Sequence, residues 1–261
     1  MHIKPKKSLG QNFLFDKNIQ NKIINACALK PEDSILEIGA GSGQMTKLIS
    51  EKCSIVYALE IDHYLCRILK DNLGGYKNIR IINRDILSFS LKSYFRRLKN
   101  KIKIVGNIPF YITTPIIEHL LRYRDKIDTI FITVQKEFAK RMIAKPGSKD
   151  YGSFSCFLQY YTEPQVLFLI KKTSFWPMPK VDSSFLSLKI RDEPLVKTEN
   201  ERLFFKIIRA AFNKRRKTLR NSLKGTVPLE KLKLFFHQYN IDVNARPEEL
   251  TLGDFANLNN L

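Results

Sequence analysis

The stretch Ser34-Ile35-Leu36-Glu37-Ile38-Gly39-Ala40-Gly41-Ser42-Gly43 decides the fold. It opens as a short run rich in Ile and Leu and closes on three glycines at alternate positions. A run of that kind suits a strand buried on both faces of a sheet. Glycines directly after it let the backbone turn sharply and approach a ligand closely. Alone, such a turn is weak evidence, because many of them only pack a helix against a strand. A dinucleotide fingerprint reads G-x-G-x-x-G. Here the spacing is G-x-G-x-G, and Gln44 stands where the last glycine of that fingerprint would fall.

Outward from this stretch the same grammar repeats. Residues 34–38, 55–59, 79–82, 102–105 and 129–134 are four to six residues long and rich in Ile or Val. Helical patterns lie between and after them at 43–53, 63–73, 114–124 and 135–144. This βαβα order predicts an open α/β sheet, mostly parallel, with helices on both faces. Two further strands, 166–170 and 185–190, flank the loop Phe175-Trp176-Pro177-Met178-Pro179. They are expected to form an antiparallel pair closing one edge of a seven-stranded sheet. After Glu193-Pro194 the chain reads as helices only, with breaks at Gly225, Pro228 and Pro247. The expected division is a domain over 1–190 and a small helical domain over 191–261.

Composition bounds the partners. The chain has 261 residues, 44 % hydrophobic and 27 % charged, which is globular usage and excludes global disorder, collagen and coiled coil. The longest apolar runs are five or six residues, as at 166–170, against the roughly 20 that a membrane helix needs. The N-terminal stretch is charged without an apolar core, so no secretory signal is expected. Lys and Arg number 45 against 25 acids, a net charge of +20. That says little about fold and much about partners: a polyanion is expected, nucleic acid before a membrane surface. A large net charge also favours a monomer. The charge is grouped. Residues 92–103 carry six Lys or Arg and no acid, and 206–224 carry Lys214, Arg215, Arg216, Lys217 and Arg220 among eight. The second run is expected on a helix whose apolar stripe (Ile207, Ile208, Ala211, Phe212, Leu219, Leu223) docks inward while its basic face meets phosphate. The four cysteines and four histidines are scattered, so no metal site is expected and reduced thiols in a cytoplasmic protein are the default.

Three strand ends carry the candidate site. Glu60 ends the second strand about 20 residues beyond the glycines, where a carboxylate accepts from ribose hydroxyls. Asp85 ends the third, where it suits an adenine amino group. One acid at a strand end is ordinarily a solvated group or a helix cap. Gly39 and Gly41, Glu60 and Asp85 at three consecutive strand ends point instead to a nucleoside site at the carboxyl edge.

The fourth strand ends in Gly106-Asn107-Ile108-Pro109-Phe110. Asn107 offers a side-chain carbonyl. Pro109 restricts Ile108 to extended geometry and so fixes the Ile108 carbonyl as a second acceptor. Phe110 supplies a stacking face. Two acceptors and a ring fit the exocyclic amino group of a planar base, which then turns its nitrogen lone pair toward a methyl donor. The structural alternative is an Asn-x-Pro turn beside a core Phe. The scheme needs no general base; positioning and desolvation do the work.

The form Glu37-x-Gly39-x-Gly41-x-Gly43 resembles that of class I S-adenosylmethionine-dependent methyltransferases. Together with Leu9-Gly10-Gln11-Asn12-Phe13-Leu14, Glu60, Asp85, Asn107 to Phe110, Gln135-Lys136-Glu137, the run from Phe175 through Pro179-Lys180-Val181-Asp182-Ser183, and Ala211 to Leu223, it resembles the KsgA-type ribosomal RNA adenine N6-dimethyltransferases over nearly the whole chain. That resemblance implies a Rossmann-like methyltransferase domain with S-adenosylmethionine as cofactor. It implies that Asn12 and Leu14 line the cofactor pocket with Gly39, Glu60, Asp85 and Asn107, and that Phe175 flanks the target base opposite Phe110. It implies a substrate of two adjacent adenines in the 3′-terminal hairpin of small-subunit rRNA, each doubly methylated in a nearly assembled subunit. The family usually reads Asn-Leu-Pro-Tyr where this chain has Asn107-Ile108-Pro109-Phe110. Losing the hydroxyl keeps the stacking face and removes one polar interaction. The Ile is shared with the related resistance methyltransferases of large-subunit rRNA, which are the first alternative. A non-catalytic nucleic-acid-binding protein on this scaffold is the second, and a DNA adenine methyltransferase the third.

Overall fold

The computed structural model describes residues 4–96, 98–214 and 216–261. Its elements run β1 (Phe13–Leu14), α1 (Lys17–Ala26), β2 (Ser34–Ile38), α2 (Gln44–Ser50), β3 (Ile55–Glu60), α3 (His63–Leu73), β4 (Ile79–Asn83) and α4 (Leu91–Tyr94). There follow β5 (Ile102–Asn107), α5 (Thr113–Leu121), β6 (Ile127–Gln135), α6 (Lys136–Met142), α7 (Ser153–Tyr161), β7 (Thr162–Ile170), β8 (Phe175–Trp176) and β9 (Ser183–Ile190). The chain ends with α8 (Glu201–Phe212), α9 (Leu219–Ser222), α10 (Leu229–Gln238) and α11 (Leu252–Asn260).

Seven strands form one sheet in the order β4-β3-β2-β5-β6-β9-β7. The pairs from β4 through β6 are parallel, and β9 runs antiparallel against β6. The expected mixed α/β sheet is therefore present. Its two late strands pair and close one edge as expected, with β9 against β6 and β7 outermost. The parallel strands are apolar at successive positions because both faces are covered: Ile35, Leu36, Ile38, Val56, Ala58, Ile104 and Val105 are all buried. β2 starts the sheet at its centre. The chain then builds outward through β3 and β4, returns to β5 on the other side, and continues to β6. That reversal is the topological switch point, and the crevice beyond the carboxyl ends of β2 and β5 is where such sheets bind ligands.

The caps explain where the helices begin. Gly43 precedes α2 at φ 91°, a left-handed conformation, so the helix starts one residue after the stretch 43–53 would have it. A Cβ on Gly43 would lie 2.7 Å from Leu73 Cδ1. Asp62 caps α3 by accepting from the Tyr64 amide at 2.9 Å. A two-stranded ribbon, β1 with β8, pairs Phe13 with Trp176 and Leu14 with Phe175. Two-residue strands carry no periodic pattern, so nothing in the sequence signals this pairing.

By packing, the chain forms two compact units. One holds residues 1–139 and 165–190, and the other 140–164 and 191–261. Residues 140–164, which the sequence reading groups with the first domain, pack with the second. The reason is α7: Tyr160 packs at a tilt against Phe204 and edge-on against Phe205 of α8, and Tyr161 Oη donates to Glu201 Oε1 at 2.6 Å. Within the second unit Ile207, Ile208, Ala211, Leu219 and Leu223 are buried, as the apolar stripe requires. The basic run is divided: Lys206 and Arg209 lie in α8 and Arg220 in α9, while Lys214, Arg216 and Lys217 lie between the two helices. α8 stops at Phe212, a turn closes from Lys217 N to Lys214 O at 2.9 Å, and Thr218 caps α9. Consecutive like charges weaken a helix there, and Thr218 offers the amides of the next turn an acceptor. Among the described residues no helix is long and apolar enough to cross a membrane.

Candidate active site

The first unit carries an open cavity at the carboxyl ends of β2, β3, β4 and β5. It is lined by Asn12, Gly39, Gly41, Glu60, Asp85, Asn107, Ile108, Pro109, Phe110 and Phe175, ten of the eleven first-unit residues singled out above. Leu14 is the eleventh. It lines a smaller neighbouring cavity behind the glycine turn, which shares Phe13, Gly39, Gly41 and Asn107 with the first.

The glycine turn is held by its neighbour strand. Gly39 N and Ala40 N both donate to the Leu59 carbonyl, at 2.9 and 3.2 Å. Gly39 and Gly41 adopt φ of 75° and 59°, which L side chains rarely adopt. The next link is Glu60, whose Oε2 accepts from Gly41 N and Oε1 from Asp62 N, both at 2.9 Å. Each carboxylate oxygen keeps a second lone-pair direction, so Glu60 is oriented without being saturated. Burial raises its proton affinity, and the amides of Asp62 and Gly41 work against that rise. Asp85 Oδ1 accepts from Leu87 N at 2.9 Å, so Asp85 is a cap as well as a lining residue.

Glu37 faces the second cavity. Its Oε2 is buried with no hydrogen-bond partner among the described residues. Burial pushes its carboxyl up to about 8, with Thr46 opposing and the neighbouring Glu60 adding to the effect. The Thr46 hydroxyl, itself buried, satisfies this carboxyl only weakly, and a cationic ligand group beside the glycine turn would satisfy it further.

The strand-end motif is organised around one amide. Asn107 Nδ2 donates to the Asn12 carbonyl at 2.8 Å. A carbonyl oxygen can only accept, so the NH2 must face Asn12 and the side-chain oxygen is left to the cavity. The carbonyl of Pro109 is taken by Ile112 N at 3.2 Å and by Thr113 Oγ1 at 3.3 Å. Thr113 Oγ1 also reaches the Phe110 carbonyl at 3.3 Å. No donor among the described residues reaches the Ile108 carbonyl. Two acceptors are thus available, as the reading of 106–110 expects. Phe110 is half-buried, and Phe175 is 3 % exposed in β8.

The sequence reading missed the strap that holds Asn12. Lys6 Nζ donates to Asp62 Oδ1 at 2.8 Å, Gln11 Nε2 to Asp62 Oδ2 at 3.3 Å, and Lys6 N to Gln11 Oε1 at 2.8 Å. Asp62 is buried, which opposes its charge. The hydrogen bonds from Lys6, Tyr64 and Gln11 nonetheless hold its carboxyl below the usual range. The partners lie 56 and 51 residues apart in sequence, so no local signal links them. His119 plays a structural part, its Nε2 bonding the Phe89 carbonyl at 3.0 Å, and all four cysteines are free and buried.

In the second unit Lys214, Arg216, Lys217 and Arg220 are exposed. Arg215 lies outside the described residues.

A family model described as ribosomal RNA adenine dimethylase matches residues 2–261. The ribosomal RNA small subunit methyltransferase A of Alkaliphilus metalliredigens is 42 % identical over 97 % of this chain and 90 % of that protein. The protein of the same name from Geobacillus thermodenitrificans is 41 % identical over 98 % and 90 %. Among solved structures, a dimethyladenosine transferase from Plasmodium falciparum superposes with a TM-score of 0.81 at 24 % identity, covering 94 % of this chain and 95 % of that one. The 23S rRNA methyltransferase ErmE superposes with a TM-score of 0.75 at 23 % identity, covering 94 % and 97 %. At those identities the likeness concerns the fold.

Proposed function

The chain belongs to the ribosomal RNA adenine dimethylase family, and from that premise we propose how its cavity works. It is an S-adenosylmethionine-dependent methyltransferase acting on adenine in small-subunit rRNA. The target is two adjacent adenines in the 3′-terminal hairpin, each receiving two methyls at N6 in a late assembly state. It acts as a monomer in the cytoplasm. The observation that carries this reading is the Asn107 amide, tied through Nδ2 to Asn12 with its oxygen left to a cavity that Phe110 and Phe175 also line.

The residues present fit the cofactor. Gly39 and Gly41 let the backbone approach it, Glu60 accepts from ribose hydroxyls, and Asp85 accepts from its adenine amino group. The buried oxygen of Glu37 suits its ammonium end. Asn12 and Leu14 close the opposite wall. S-adenosylmethionine, when bound, supplies a methyl group on a positively charged sulfur, transferable to a nitrogen lone pair.

The chain's own residues prepare that nitrogen. Phe110 and Phe175 hold the base plane. Asn107 Oδ1 and the Ile108 carbonyl accept the two amino hydrogens, which draws the lone pair out of conjugation with the ring. Pro109 keeps the Ile108 carbonyl aimed. No residue of the cavity has to take the proton, because the alkylated nitrogen is acidic enough to lose it to water. The barrier is lowered by orientation and by acceptors that strengthen as positive charge develops on the amino group. Lys214, Arg215, Arg216, Lys217 and Arg220 are the proposed contacts to RNA phosphate.

The deciding experiment offers labelled S-adenosylmethionine with unmodified small subunits, large subunits and naked DNA in parallel, and identifies the product nucleoside by mass. N6,N6-dimethyladenosine in small-subunit rRNA alone is the expected result. Label in large-subunit rRNA keeps the chemistry and overturns the target. No label with the cofactor still bound favours a non-catalytic RNA-binding protein.

A further inference from the structure

Each aromatic wall of the cavity is followed by a second aromatic that faces water. Phe110 precedes Tyr111, which is 65 % exposed, and Phe175 precedes Trp176, which is 51 % exposed. Tyr111 itself lines the cavity, and Trp176 adjoins it through Phe175 and through Phe13, both lining residues; isolated exposed rings are ordinary, but two that each adjoin the same cavity are not. Both rings are braced. Trp176 stacks on Phe13 with centroids 6.5 Å apart and planes 23° apart. Tyr111 lies against Gly10, where a Cβ would come within 3.0 Å of its Cε1, and its hydroxyl donates to the Ser8 carbonyl at 3.5 Å. The segment that carries Trp176 is itself cationic, although Asp16 and Asp182 bond to it at Ser174 and Lys172. Residues 171–180 carry Lys171, Lys172 and Lys180 and no acid, and Lys171 and Lys180 are exposed on either side of Trp176.

We propose that Tyr111 and Trp176 form a stacking rim for the bases that flank the target adenine in the RNA chain. This rests on the reading of the cavity as an adenine N6 site. A nucleotide placed in the cavity leaves its chain neighbours at the mouth by covalent connectivity. Those neighbours have been unstacked from one another, and an exposed ring restores the lost stack whatever the base. The braced rings are already ordered, so little rotamer freedom is lost on binding. Lysines beside the ring suit the phosphodiester backbone. Specificity for the target base then sits in Asn107 and Ile108, while the rim supplies affinity for the strand.

The test compares the full chain with Trp176→Ala, Trp176→Phe and Tyr111→Ala on unmodified small subunits, with S-adenosylhomocysteine affinity measured by calorimetry. Trp176→Ala is expected to raise KM for subunits about tenfold, the scale of one lost base–aromatic stack. Cofactor affinity stays unchanged, and Trp176→Phe restores KM to within a few-fold. Trp176 is the only tryptophan of the chain, so its emission alone is expected to fall when oligoadenylate binds at low salt, as followed by anisotropy. An unchanged KM overturns the rim. A KM rise matched by weaker cofactor binding makes Trp176 a brace for Phe13 and also overturns it. A KM rise without quenching by bound oligoadenylate makes the patch a contact for a ribosomal protein instead. If the wild type leaves small subunits unmethylated, the parent reading fails and the rim with it.

Discussion

Asn107 donates its side-chain NH2 to the main-chain carbonyl of Asn12 at 2.8 Å, across 95 residues of sequence. One hydrogen bond therefore decides which end of the amide meets the substrate. Asn107→Ala should lower kcat by roughly 10²- to 10³-fold, the scale of a missing charge-stabilising acceptor or donor, with the melting temperature unchanged. Asn107→Asp is the sharper variant. It keeps an acceptor toward the cavity but turns a carboxylate on the Asn12 carbonyl, so it should lose turnover and also weaken S-adenosylhomocysteine binding. Single-turnover methylation and calorimetry on both variants check this. An active Asp variant would show that the orientation set by Asn12 is irrelevant.

The N-terminal strap is latched by Lys6 on Asp62, with Gln11 bridging them. Lys6 is half exposed, so the pair contributes at most about 1 kcal/mol and its loss moves the melting temperature by no more than about 4 °C. The functional effect should be larger than the thermal one. Lys6→Met frees the segment that carries Asn12, and cofactor affinity should fall on the order of tenfold. Lys6→Arg should restore it. Equal affinities across the three proteins would remove the latch from the account.

Glu37 titrates in a window set by burial. Its carboxyl is neutral up to about 8 in the folded chain, against about 4.5 when exposed. Folding therefore retains a proton between these values, and stability falls as pH rises from about 4.5 through about 8. The melting temperature of the free protein should drop over that range, and Glu37→Gln should flatten the drop. S-adenosylmethionine, whose ammonium meets this oxygen in our reading, should protect the wild type more at pH 8.5 than at pH 6 (roughly the two sides of an ordinary buried-carboxyl titration). Scanning fluorimetry across pH with and without the cofactor measures both effects.

The exposed cluster Lys214, Arg216 and Lys217 is the electrostatic prediction. Replacing all three by Glu should weaken subunit binding and leave cofactor affinity intact. For every phosphate no longer neutralised, the log–log salt dependence should flatten by about 0.7–0.9. Filter binding over a salt series gives the slope directly, and an unaltered slope would show that the cluster meets no phosphate.

The strands from β2 to β6 were legible because burial leaves short runs rich in Ile and Val, as in Ile130 to Ile132 of β6. Glu60 and Asp85 were legible because each stands at the end of a recognisable strand that follows the glycine turn. Asp62 was not, although it lies two residues beyond Glu60, since its role depends on Lys6 and Gln11 arriving from a distant segment. The β1–β8 ribbon was invisible for the same reason: a pair of two-residue strands has no period. The end of α8 at Phe212 was misread because the apolar spacing continues through Leu219 and Leu223, while the turn at 214–217 interrupts the helix without any glycine or proline.

Residues 140–164 belong to the helical unit, yet the ribosome makes them before β9, the last strand of the sheet unit. Neither unit is therefore contiguous in its gene. During synthesis α7 emerges with Tyr160 and Tyr161 bare, and it waits for Phe204 and Phe205 of α8 to cover them. A chain truncated after Ile190 would keep that apolar helix and lose its cover, making an aggregation-prone fragment instead of a free-standing methyltransferase. Any minimal version must excise the middle segment together with the tail, and rejoin β6 to β7 by a short linker.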